Sequence, residues 1–494
     1  MNRASSDKTS LLFVDTALAC IVFADLEINT QNPWRELGRM ALGAVTPNFL
    51  DFGVLVESLL QTVAFALVGV SLGGLLGFGL ALLYHLALVR VFCAAVRSVH
   101  ELFWALLLLQ FLGLNPITGL LAIALPYGGI FAKVYSEILE EADPAPLGAL
   151  PGGSGHVSAF FFARLPDVWA HIISYTSYRL ECGLRSSAVL GFVGLPTLGF
   201  HLESYFRQGQ YSQVSALLIL FYLLIATLRW WARPRLLPFY LLGALALFWG
   251  SVDISMENVV RFFSEDIVPA PLRNAEGLGA ENLAALGGWS WSLLMGQALP
   301  AVVATLLLTQ IALVGTGMIT LVVFPLVSRK FFSRPARAVG HGILVVMRST
   351  PEYILAYIFL QIWGPSMLPA IVALAIHNGA IIGHLTGRHA DQLPSRPDAP
   401  RGLNLYGYDI LPRVYGQFMA FLFYRWEVIM RETAILGMLG IHTLGFYVDS
   451  AIQDIRLDRA LLLIFVTALL NVGVDALSRT IRARLRLSRT PDVT

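Results

Sequence analysis

The sequence has little charge. Asp, Glu, Lys and Arg make up only 13% of its 494 residues, against about a quarter in soluble domains, and the mean hydropathy is +0.68. Apolar runs of ~20 residues recur along the whole chain, and each is long enough to cross a hydrocarbon core of ~30 Å. An ordinary soluble protein is therefore excluded, and the composition predicts an all-α polytopic membrane protein.

Cysteine and catalytic patterns are also scarce. The three cysteines lie in or beside apolar runs and give neither a disulfide framework nor metal-ligand spacing. No Gly-x(4)-Gly-Lys-Ser/Thr phosphate loop occurs, so nucleotide binding through that motif is excluded. No Ser/His/Asp or Cys/His arrangement occurs either. We therefore expect no catalytic residue, no metal, no cofactor and no nucleic-acid partner, which disfavours a membrane enzyme or an assembly scaffold.

One stretch of the sequence occurs twice. Both copies begin with Leu-Pro, set three charged residues into an apolar helical run, and end in Thr-Leu-Gly-Phe. The first copy contains Leu165, Pro166, Tyr178, Arg179, Glu181, Arg185, Gly191, Gly194 and Gly199. The second contains Leu411, Pro412, Tyr424, Arg425, Glu427, Arg431, Gly437, Gly440 and Gly445. This agreement is too extensive for chance and indicates an internal duplication.

The duplication extends upstream of this stretch. Residues 97–101 recur as 348–352, residues 122–128 as 373–379, and residues 66–69 as 312–315. An even number of apolar spans separates the copies, so the two share one orientation in the membrane. We therefore predict two parallel six-helix repeats, 1–235 and 236–494, that enclose one path and carry an insert on the periplasmic side at 253–292.

Twelve membrane spans are predicted from the apolar runs. They lie near 10–27, 56–84, 99–115, 117–138, 168–192, 211–230, 236–252, 293–327, 340–363, 367–386, 415–438 and 459–477. Arginine and lysine cluster after the second, sixth, eighth and tenth spans and in the carboxyl-terminal tail. With both termini in the cytoplasm, every basic cluster falls on the cytoplasmic side, in agreement with the positive-inside rule.

Two long loops, 139–166 and 387–412, occupy the same place in both halves. Each follows the fourth span of its half, is rich in Pro and Gly, and ends in Leu-Pro. Loops of this length are usually functional or disordered. The pairing favours a shared docking role on the cytoplasmic side, and the alternative is an insertion that was tolerated and then copied by the duplication.

The combination of these motifs resembles the permease subunit of phosphonate-type ABC importers, here with two permease units fused in tandem. The resemblance implies a fold like that of type I importer permeases and a bacterial inner-membrane location. It also implies two ATPase subunits, which bind the ATP, and a periplasmic solute-binding protein. The ATPase-coupling loop of such importers corresponds to Ala149, Gly153, Leu165 and Pro166 in the first copy and to Leu411 and Pro412 in the second, where Ala399 replaces the glycine.

The charged helices allow two interpretations that are compatible with each other. Glu181 and Arg185 are four residues apart and share a helix face, as do Glu427 and Arg431, and at ~1.5 Å per residue these charges lie about halfway across the span. They could be ion pairs that hold helices together. Alternatively, the arginines, which outnumber the glutamates, favour a phosphonate or related anion in the path, since guanidinium binds phosphoryl oxygens in bidentate fashion. Tyr178 and Tyr424 lie beside the same charges.

Glycines, charged helix ends and histidines give further expectations. The glycines 191, 194, 199, 437, 440 and 445 are predicted to break the helices, to let them approach closely or to form a gate. The four-residue spacing of Arg97 to Glu101 and of Arg348 to Glu352 suggests local helix-end ion pairs, and His377, Asn378, His384 and His389 are taken as packing or loop residues. The alternative function is an ion-coupled secondary transporter with two parallel six-helix repeats, which would need no paired docking loops.

Overall fold

The computed structural model describes residues 3–30, 32–49, 51–143, 145–148, 150–151, 153–250, 253–273, 279–396 and 398–485. All regular structure within these ranges is helical. The chain forms two compact units, which we call the first unit (Gly43–Ser264) and the second unit (Met1–Leu42 with Glu265–Thr494). Each unit contains one copy of the repeated helices.

Fourteen α-helices lie in the described residues up to 261. They are α1 (Arg3–Phe23), α2 (Pro33–Val45), α3 (Phe52–Leu82), α4 (Ala87–Ser98), α5 (Glu101–Leu112), α6 (Pro116–Glu140), α7 (Ala145–Gly148), α8 (His156–Ala159), α9 (Leu165–Val189), α10 (Leu198–Arg207), α11 (Tyr211–Ala226), α12 (Leu228–Trp231), α13 (Leu237–Phe248) and α14 (Met256–Arg261). Helix α1 belongs to the second unit, α2 crosses the boundary between the units, and α3 to α14 belong to the first unit.

The remaining helices belong to the second unit. They are α15 (Ala280–Leu293), α16 (Leu299–Val323), α17 (Arg334–Ser349), α18 (Glu352–Trp363), α19 (Met367–Gln392), α20 (Leu411–Gly437), α21 (Leu444–Gln453) and α22 (Leu457–Arg484). The order α3–α4–α5–α6–α9–α10–α11 in the first unit thus recurs as α16–α17–α18–α19–α20–α21–α22 in the second.

The helices are long and apolar enough for a multi-pass membrane protein. Five segments meet this criterion by length and composition: Phe52–Leu82, Pro116–Glu140, Ala280–Val327, Met367–Gln392 and Leu457–Arg484. The number rises to seven if each of two sharply bent helix pairs is counted as one span. The predicted all-α membrane fold is confirmed, whereas the count of twelve spans stays a prediction.

The chain bends sharply at the start of the predicted span 99–115 and inside the predicted span 340–363. Helix α5 follows α4 at an angle of 92°, and α18 follows α17 at 90°, so that 340–363 is not one continuous span. Thr350 at the second break has an extended backbone because a following proline, here Pro351, disfavours the helical conformation of the residue before it. At the first break, the side chain of His100 accepts the N–H of Leu102 and caps α5.

Small residues allow the two central helices of the first unit to pack closely. Gly73 and Gly77 of α3 face Tyr127 and Phe131 of α6, and a Cβ added at Gly73 would lie only 3.0 Å from the Cβ of Tyr127. In the second unit, α16 packs along α19 in the same manner, with Gly379 against Ile319. Each pair forms the buried centre of its unit.

Contacts within the units correct the predicted alignment of the first repeated helix. The Oγ1 of Thr62 accepts the N–H of Leu198 at 2.8 Å, and the Oγ1 of Thr305 accepts the N–H of Leu444 at 3.1 Å. Because Leu198 and Leu444 are equivalent in the repeat, Thr62 and Thr305 are equivalent too. Aligning 66–69 with 312–315 is therefore wrong by three residues, since similar apolar tetrapeptides recur by chance along such helices.

Each unit also contains a helix from the other half of the sequence. Helix α13 packs on α3, with the rings of Phe65 and Phe248 4.7 Å apart. Helix α1 packs on α16, where Gln310 donates a hydrogen bond to the carbonyl of Phe13. The predicted halves 1–235 and 236–494 divide the chain by its sequence repeat and not by its contacts. That division stays a prediction.

Candidate functional site

The two charged helices begin and end in the same way. Pro166 and Pro412 each follow a π-helical segment, Phe160–Arg164 and Leu405–Ile410, that continues directly into α9 and α20, and a proline there has no N–H for the regular helical hydrogen bond. At the other end, Gly194 and Gly440 have φ of +96° and +86°, a left-handed conformation that favours glycine. The repeated stretch therefore forms a helix that continues from a π-helical segment and ends in a tight turn.

The other repeated glycines lie where the turn folds back on the helix. A Cβ on Gly199 would overlap the carbonyl of Ala188, and a Cβ on Gly445 would overlap that of Ala434. Gly191 and Gly437 are equally close to the backbone that follows. This geometry explains why glycine occurs at these positions, and a gating role for them stays a prediction.

Tyr178 and Arg179 form an aromatic and cationic pair on α9, in which Tyr178 is exposed and Arg179 half-buried. Tyr178 is 44% exposed. The Nε of Arg179 donates to the hydroxyl of Tyr175 at 2.8 Å, and the guanidinium lies 5.3 Å from the centre of the Tyr175 ring and 5.9 Å from that of Tyr178. The tyrosines thus hold the guanidinium by hydrogen bonding and cation–π attraction.

The second copy has a different arrangement around the same positions. Tyr424 is also 44% exposed, but the cation over its ring is Arg482 of α22, at 5.6 Å. Phe421 takes the place of Tyr175 and offers no hydroxyl. Arg425 is half-buried, and no hydrogen bond or ion pair joins it to another residue in the described part of the chain.

Glu181 and Arg185, like Glu427 and Arg431, are half-buried on their helices. The Nη2 of Arg185 donates a hydrogen bond to the Sγ of Cys182 at 3.5 Å. The predicted ion pairs within these helices stay predictions.

The depth expected for the charges needs correction in the second copy. The hydroxyl of Ser478 donates to the carbonyl of Phe423 at 2.6 Å, so Tyr424 lies level with the end of the apolar run of α22 and not with its middle. The first 12 residues of α20 extend about 18 Å beyond that level at 1.5 Å per residue. The estimate of halfway across failed because it assumed that the span starts at Leu411.

A buried polar network connects three helices of the first unit near the start of α5. Ser186 of α9 donates to Oε1 of Glu101 at 2.6 Å. Since the hydroxyl proton of Ser186 is thereby used, the Tyr127 hydroxyl of α6, 3.1 Å away, donates to it. The Nε2 of His100 lies 3.7 Å from Oε2 of Glu101, while its Nδ1 accepts a backbone hydrogen bond. His100 therefore presents an N–H to the carboxylate.

The equivalent network of the second unit contains different residues. Asn378 of α19 donates to Oε2 of Glu432 of α20 at 2.7 Å. His377 lies 3.9 Å from Glu352 through its Nε2, and its Nδ1 donates to the carbonyl of Thr350 at 3.0 Å. Nδ1 already carries the one hydrogen of a neutral imidazole. The contact of Nε2 with Glu352 is therefore attractive only when the imidazole also carries a proton on Nε2 or when the carboxyl group is protonated.

The histidines of the two networks come from different helices. In the repeat, His100 corresponds to Pro351, and Pro126 corresponds to His377. His100 caps α5, whereas His377 lies inside α19. The two imidazoles nevertheless contact equivalent glutamates, Glu101 and Glu352. A carboxylate–imidazole contact is therefore present twice.

Sequence reasoning missed these networks. It treated Arg97 and Glu101 as residues of one helix, but the 92° bend lies between them, so a spacing of four does not place them on one face. His377 and Asn378 are buried members of a polar network and not simple packing residues. The available signal was a His-Asn pair within an apolar span, since polar residues at such depth are functional candidates.

The long loops also present paired features. Gly153 has φ of +97°, Ala149 lies outside the described residues, and Arg164 donates twice to the carbonyl of Leu139, which joins the two ends of the first loop. Phe162 and Tyr408 stand three residues before their Leu-Pro and are 80% and 81% exposed. Val157 and Leu403 stand eight residues before it and are exposed as well.

Comparison with known proteins decides the family. This chain is 32% identical over 110 residues to a cryptic phosphonate transport system permease, PhnE2, of Escherichia coli K12, and the match covers 90% of that protein and 22% of this chain. The chain belongs to the phosphonate transport permeases. The resemblance found in the motifs is thereby confirmed, and the family favours an importer permease over an ion-coupled secondary transporter.

Other permeases of this kind match over one half or over nearly all of the chain. The phosphate-import permease PhnE of Mycolicibacterium smegmatis is 26% identical over 462 residues, which are 86% of this chain and 84% of that protein. The phosphite transport permease PtxC of Stutzerimonas stutzeri is 28% identical over 225 residues, or 43% of this chain and 81% of that protein. A single permease thus matches about half of this chain, as expected for two fused permease units.

No family model matches the sequence. Among solved structures, an amino acid ABC transporter crystallised with histidines covers 40% of this chain and 99% of its own, with 18% sequence identity and a TM-score of 0.33.

Proposed function

We propose that this permease forms the path of an ABC importer for a small phosphorus oxyanion. The relatives are named for phosphate, phosphite and phosphonate transport, and these solutes share a tetrahedral phosphorus with anionic oxygens. The chain itself would be a transport subunit and not an enzyme, with ATP bound by a separate partner. A periplasmic solute-binding protein would deliver the solute and select among these oxyanions.

Arg425 is the observation that carries the anion path. A half-buried guanidinium without a protein partner in the described chain has all its donors available, which favours contact with water or with an anionic ligand. Its counterpart Arg179 is held in place by Tyr175, so one copy would offer an oriented cation and the other an available one. Guanidinium groups bind phosphoryl oxygens in bidentate fashion.

The test is a variant that neutralises both arginines, Arg179→Gln with Arg425→Gln. We expect uptake of radiolabelled phosphate or phosphite to fall roughly tenfold or more in cells that lack other phosphorus importers, because hydrogen bonds to charged groups contribute about 1.5–3 kcal/mol each. The amount of protein in the membrane and the binding of the ATPase should not change. Arg39→Gln, which removes an exposed ion pair with Glu36, is the matched control and should transport normally.

Unchanged uptake by the double variant would refute the anion path. Loss of folded protein would instead assign the two arginines to helix packing. A further variant separates charge from shape: with lysine at both positions, the positive charge is kept but the bidentate geometry is lost, and partial uptake is expected.

The paired loops are proposed to bind two ATPase subunits. Large exposed apolar side chains mark protein interaction sites, and Phe162 and Tyr408 occupy the same position relative to Leu-Pro in both loops. Val157 and Leu403 do so as well. The duplication has kept these exposed apolar positions although the loops differ in most other residues, which supports one docking role repeated twice.

A bacterial inner-membrane location with both termini in the cytoplasm belongs to the same proposal. ATPase subunits of importers work where ATP is available, so loops that bind them must face the cytoplasm. Binding of an ATPase through Phe162 and Tyr408 would therefore support the predicted orientation together with the docking role.

A further inference from the structure

The connection between the first two repeated helices differs between the units. Helices α3 and α4 are joined by the four residues 83–86, whereas α16 and α17 are joined by the ten residues 324–333. The longer connection contains Ser328, Arg329 and Lys330, and each of them donates a hydrogen bond to residues at the end of α19 or just after it. The longer connection therefore contacts the start of the second long loop, 387–412.

Asp391 lies at the centre of these contacts. Its Oδ1 accepts hydrogen bonds from the Ser328 hydroxyl and from the backbone N–H of Arg329, both at 2.7 Å, and its Oδ2 lies 3.4 Å from the Nε of Arg329. The Nζ of Lys330 donates to the carbonyl of Leu393 at 2.8 Å. Hydrogen bonds to a carboxylate are shorter and stronger than those between neutral groups, so these contacts, which we call the Asp391 clamp, fix the loop at its start.

The other end of the same loop is fixed to α16. The hydroxyl of Tyr406 donates to the carbonyl of Leu321 at 3.0 Å, and its ring stacks on the buried Phe324 with 5.5 Å between the ring centres. Tyr408, two residues further on, is 81% exposed. The second loop is thus held on α16 and its connection at both ends, while its exposed aromatic side chain stays accessible.

The first unit keeps the acidic residue but not the clamp. By the offset of the repeat, Glu140 corresponds to Asp391, yet it is exposed, and no hydrogen bond or ion pair joins it to another residue in the described part of the chain. The connection 83–86 contains neither arginine nor lysine. Phe160 takes the place of Tyr406 and has no hydroxyl to donate. The carboxylate is therefore clamped only in the second unit.

We propose that the Asp391 clamp couples the second loop to α16 and α17, so that displacement of this loop by a bound ATPase moves these helices. Hydrogen-bond networks between rigid elements carry such coupling, and a clamped loop moves together with the helices to which it is bonded. Asp391 acts through the loop and is a positioning residue. The inference rests on the proposed docking of ATPase subunits on the two loops.

The clamp itself is tested by hydrogen exchange on the purified full-length protein. Asp391→Ala removes the carboxylate at the end of α19 without cost to the helix, because alanine is the best helix former. Exchange of the backbone N–H groups in 393–412 should become about tenfold faster, since loss of a hydrogen bond to a charged group shifts a local opening equilibrium by at least that factor. Glu140→Ala is the matched control and should leave exchange in 139–166 unchanged.

The coupling is tested by reconstituting the permease with its ATPase in vesicles, where uptake of radiolabelled phosphate or phosphite and ATP hydrolysis are measured together. Asp391→Ala should keep the ATPase bound, because Phe162 and Tyr408 are unchanged. Uptake per ATP hydrolysed should fall roughly fivefold or more, the lower end of the usual coupling between sites. Lys330→Met removes only the hydrogen bond to Leu393 and should give a smaller fall in the same direction.

The two measurements separate the possible failures. Unchanged exchange in Asp391→Ala would overturn the clamp, and faster exchange with unchanged uptake per ATP would overturn its coupling role. An equal fall in Glu140→Ala would show that the effect is not confined to the second loop. If no ATPase binds even the wild type, the docking role is refuted and the coupling with it. If Asp391→Ala lowers the amount of folded protein, Lys330→Met decides by the same two measurements.

Discussion

The hydrogen bond between Asn378 and Glu432 gives a quantitative test of the second buried network. Asn378 is fully buried, Glu432 is 8% exposed, and the donor and acceptor are 2.7 Å apart. Asn378→Leu keeps a similar volume but removes the donor. The Oε2 of Glu432 is then left buried with one hydrogen bond fewer. Leaving a buried acceptor without its donor costs more than replacing both partners with apolar side chains.

The size of the effect follows from two known ranges. Hydrogen bonds to charged groups contribute about 1.5–3 kcal/mol in soluble proteins, whereas interhelical hydrogen bonds measured in membranes average ~0.6 and reach ~1.7 kcal/mol. A short bond to a buried carboxylate belongs near the top of the membrane range. We therefore expect Asn378→Leu to lower the free energy of unfolding by about 2 kcal/mol.

A double-mutant cycle isolates the interaction from the effect of side-chain shape. Asn378→Leu, Glu432→Leu and the double variant are unfolded with dodecyl sulfate in mixed micelles, and a coupling energy of about 1.5 kcal/mol is expected. Tyr127→Phe in the first unit is the comparison. It removes a longer bond, at 3.1 Å, to the neutral Ser186 and should cost about 1 kcal/mol or less. A coupling energy below ~0.5 kcal/mol, within the error of additivity, would refute the reasoning.

The docking loops and the glycine turn give two further predictions. Phe162→Ala with Tyr408→Ala should abolish co-purification of an ATPase subunit, whereas Trp34→Ala, at another exposed aromatic, should not; full ATPase retention by the first variant would contradict the docking role. Gly445→Ala should lower the free energy of unfolding by about 3 kcal/mol, because the added Cβ overlaps a backbone carbonyl and cannot relax as a side chain could. Gly473→Ala on α22 meets open space and should be neutral or stabilising by up to ~1 kcal/mol. Equal unfolding midpoints for the two glycine variants would be incompatible with the close turn.

The sequence was most informative where the signal is local. Hydropathy and length predicted the membrane class, and the repeated stretch located α9 and α20 from their Leu-Pro starts to within a few residues. The break before Glu352 was missed, since an apolar run gives no sign of direction when a helix turns by 90° within it, and helix α4 before the first break was not predicted. Pro351 was the available indication at the second break.

The partners of the buried polar residues could not be predicted because they are set by tertiary contacts. Ser186 and Glu101 are 85 positions apart along the chain, and nothing in the spacing of either residue indicates the other. Helices α1 and α13 pose the same problem, because the order of the chain does not determine which bundle a helix packs on. Such contacts depend on the packing of whole helices.

The two copies have kept their framework and changed their polar chemistry. Thr62 and Thr305 accept the same backbone hydrogen bond, and the glycines of both turns are in the same close contacts. By contrast, Ser186 and Tyr127 in one unit correspond to Glu432 and Asn378 in the other. A permease made of two identical chains must carry every substitution twice. Two copies in one chain can place a carboxylate or an oriented arginine on one side only, and such asymmetry is what the fusion makes available to selection.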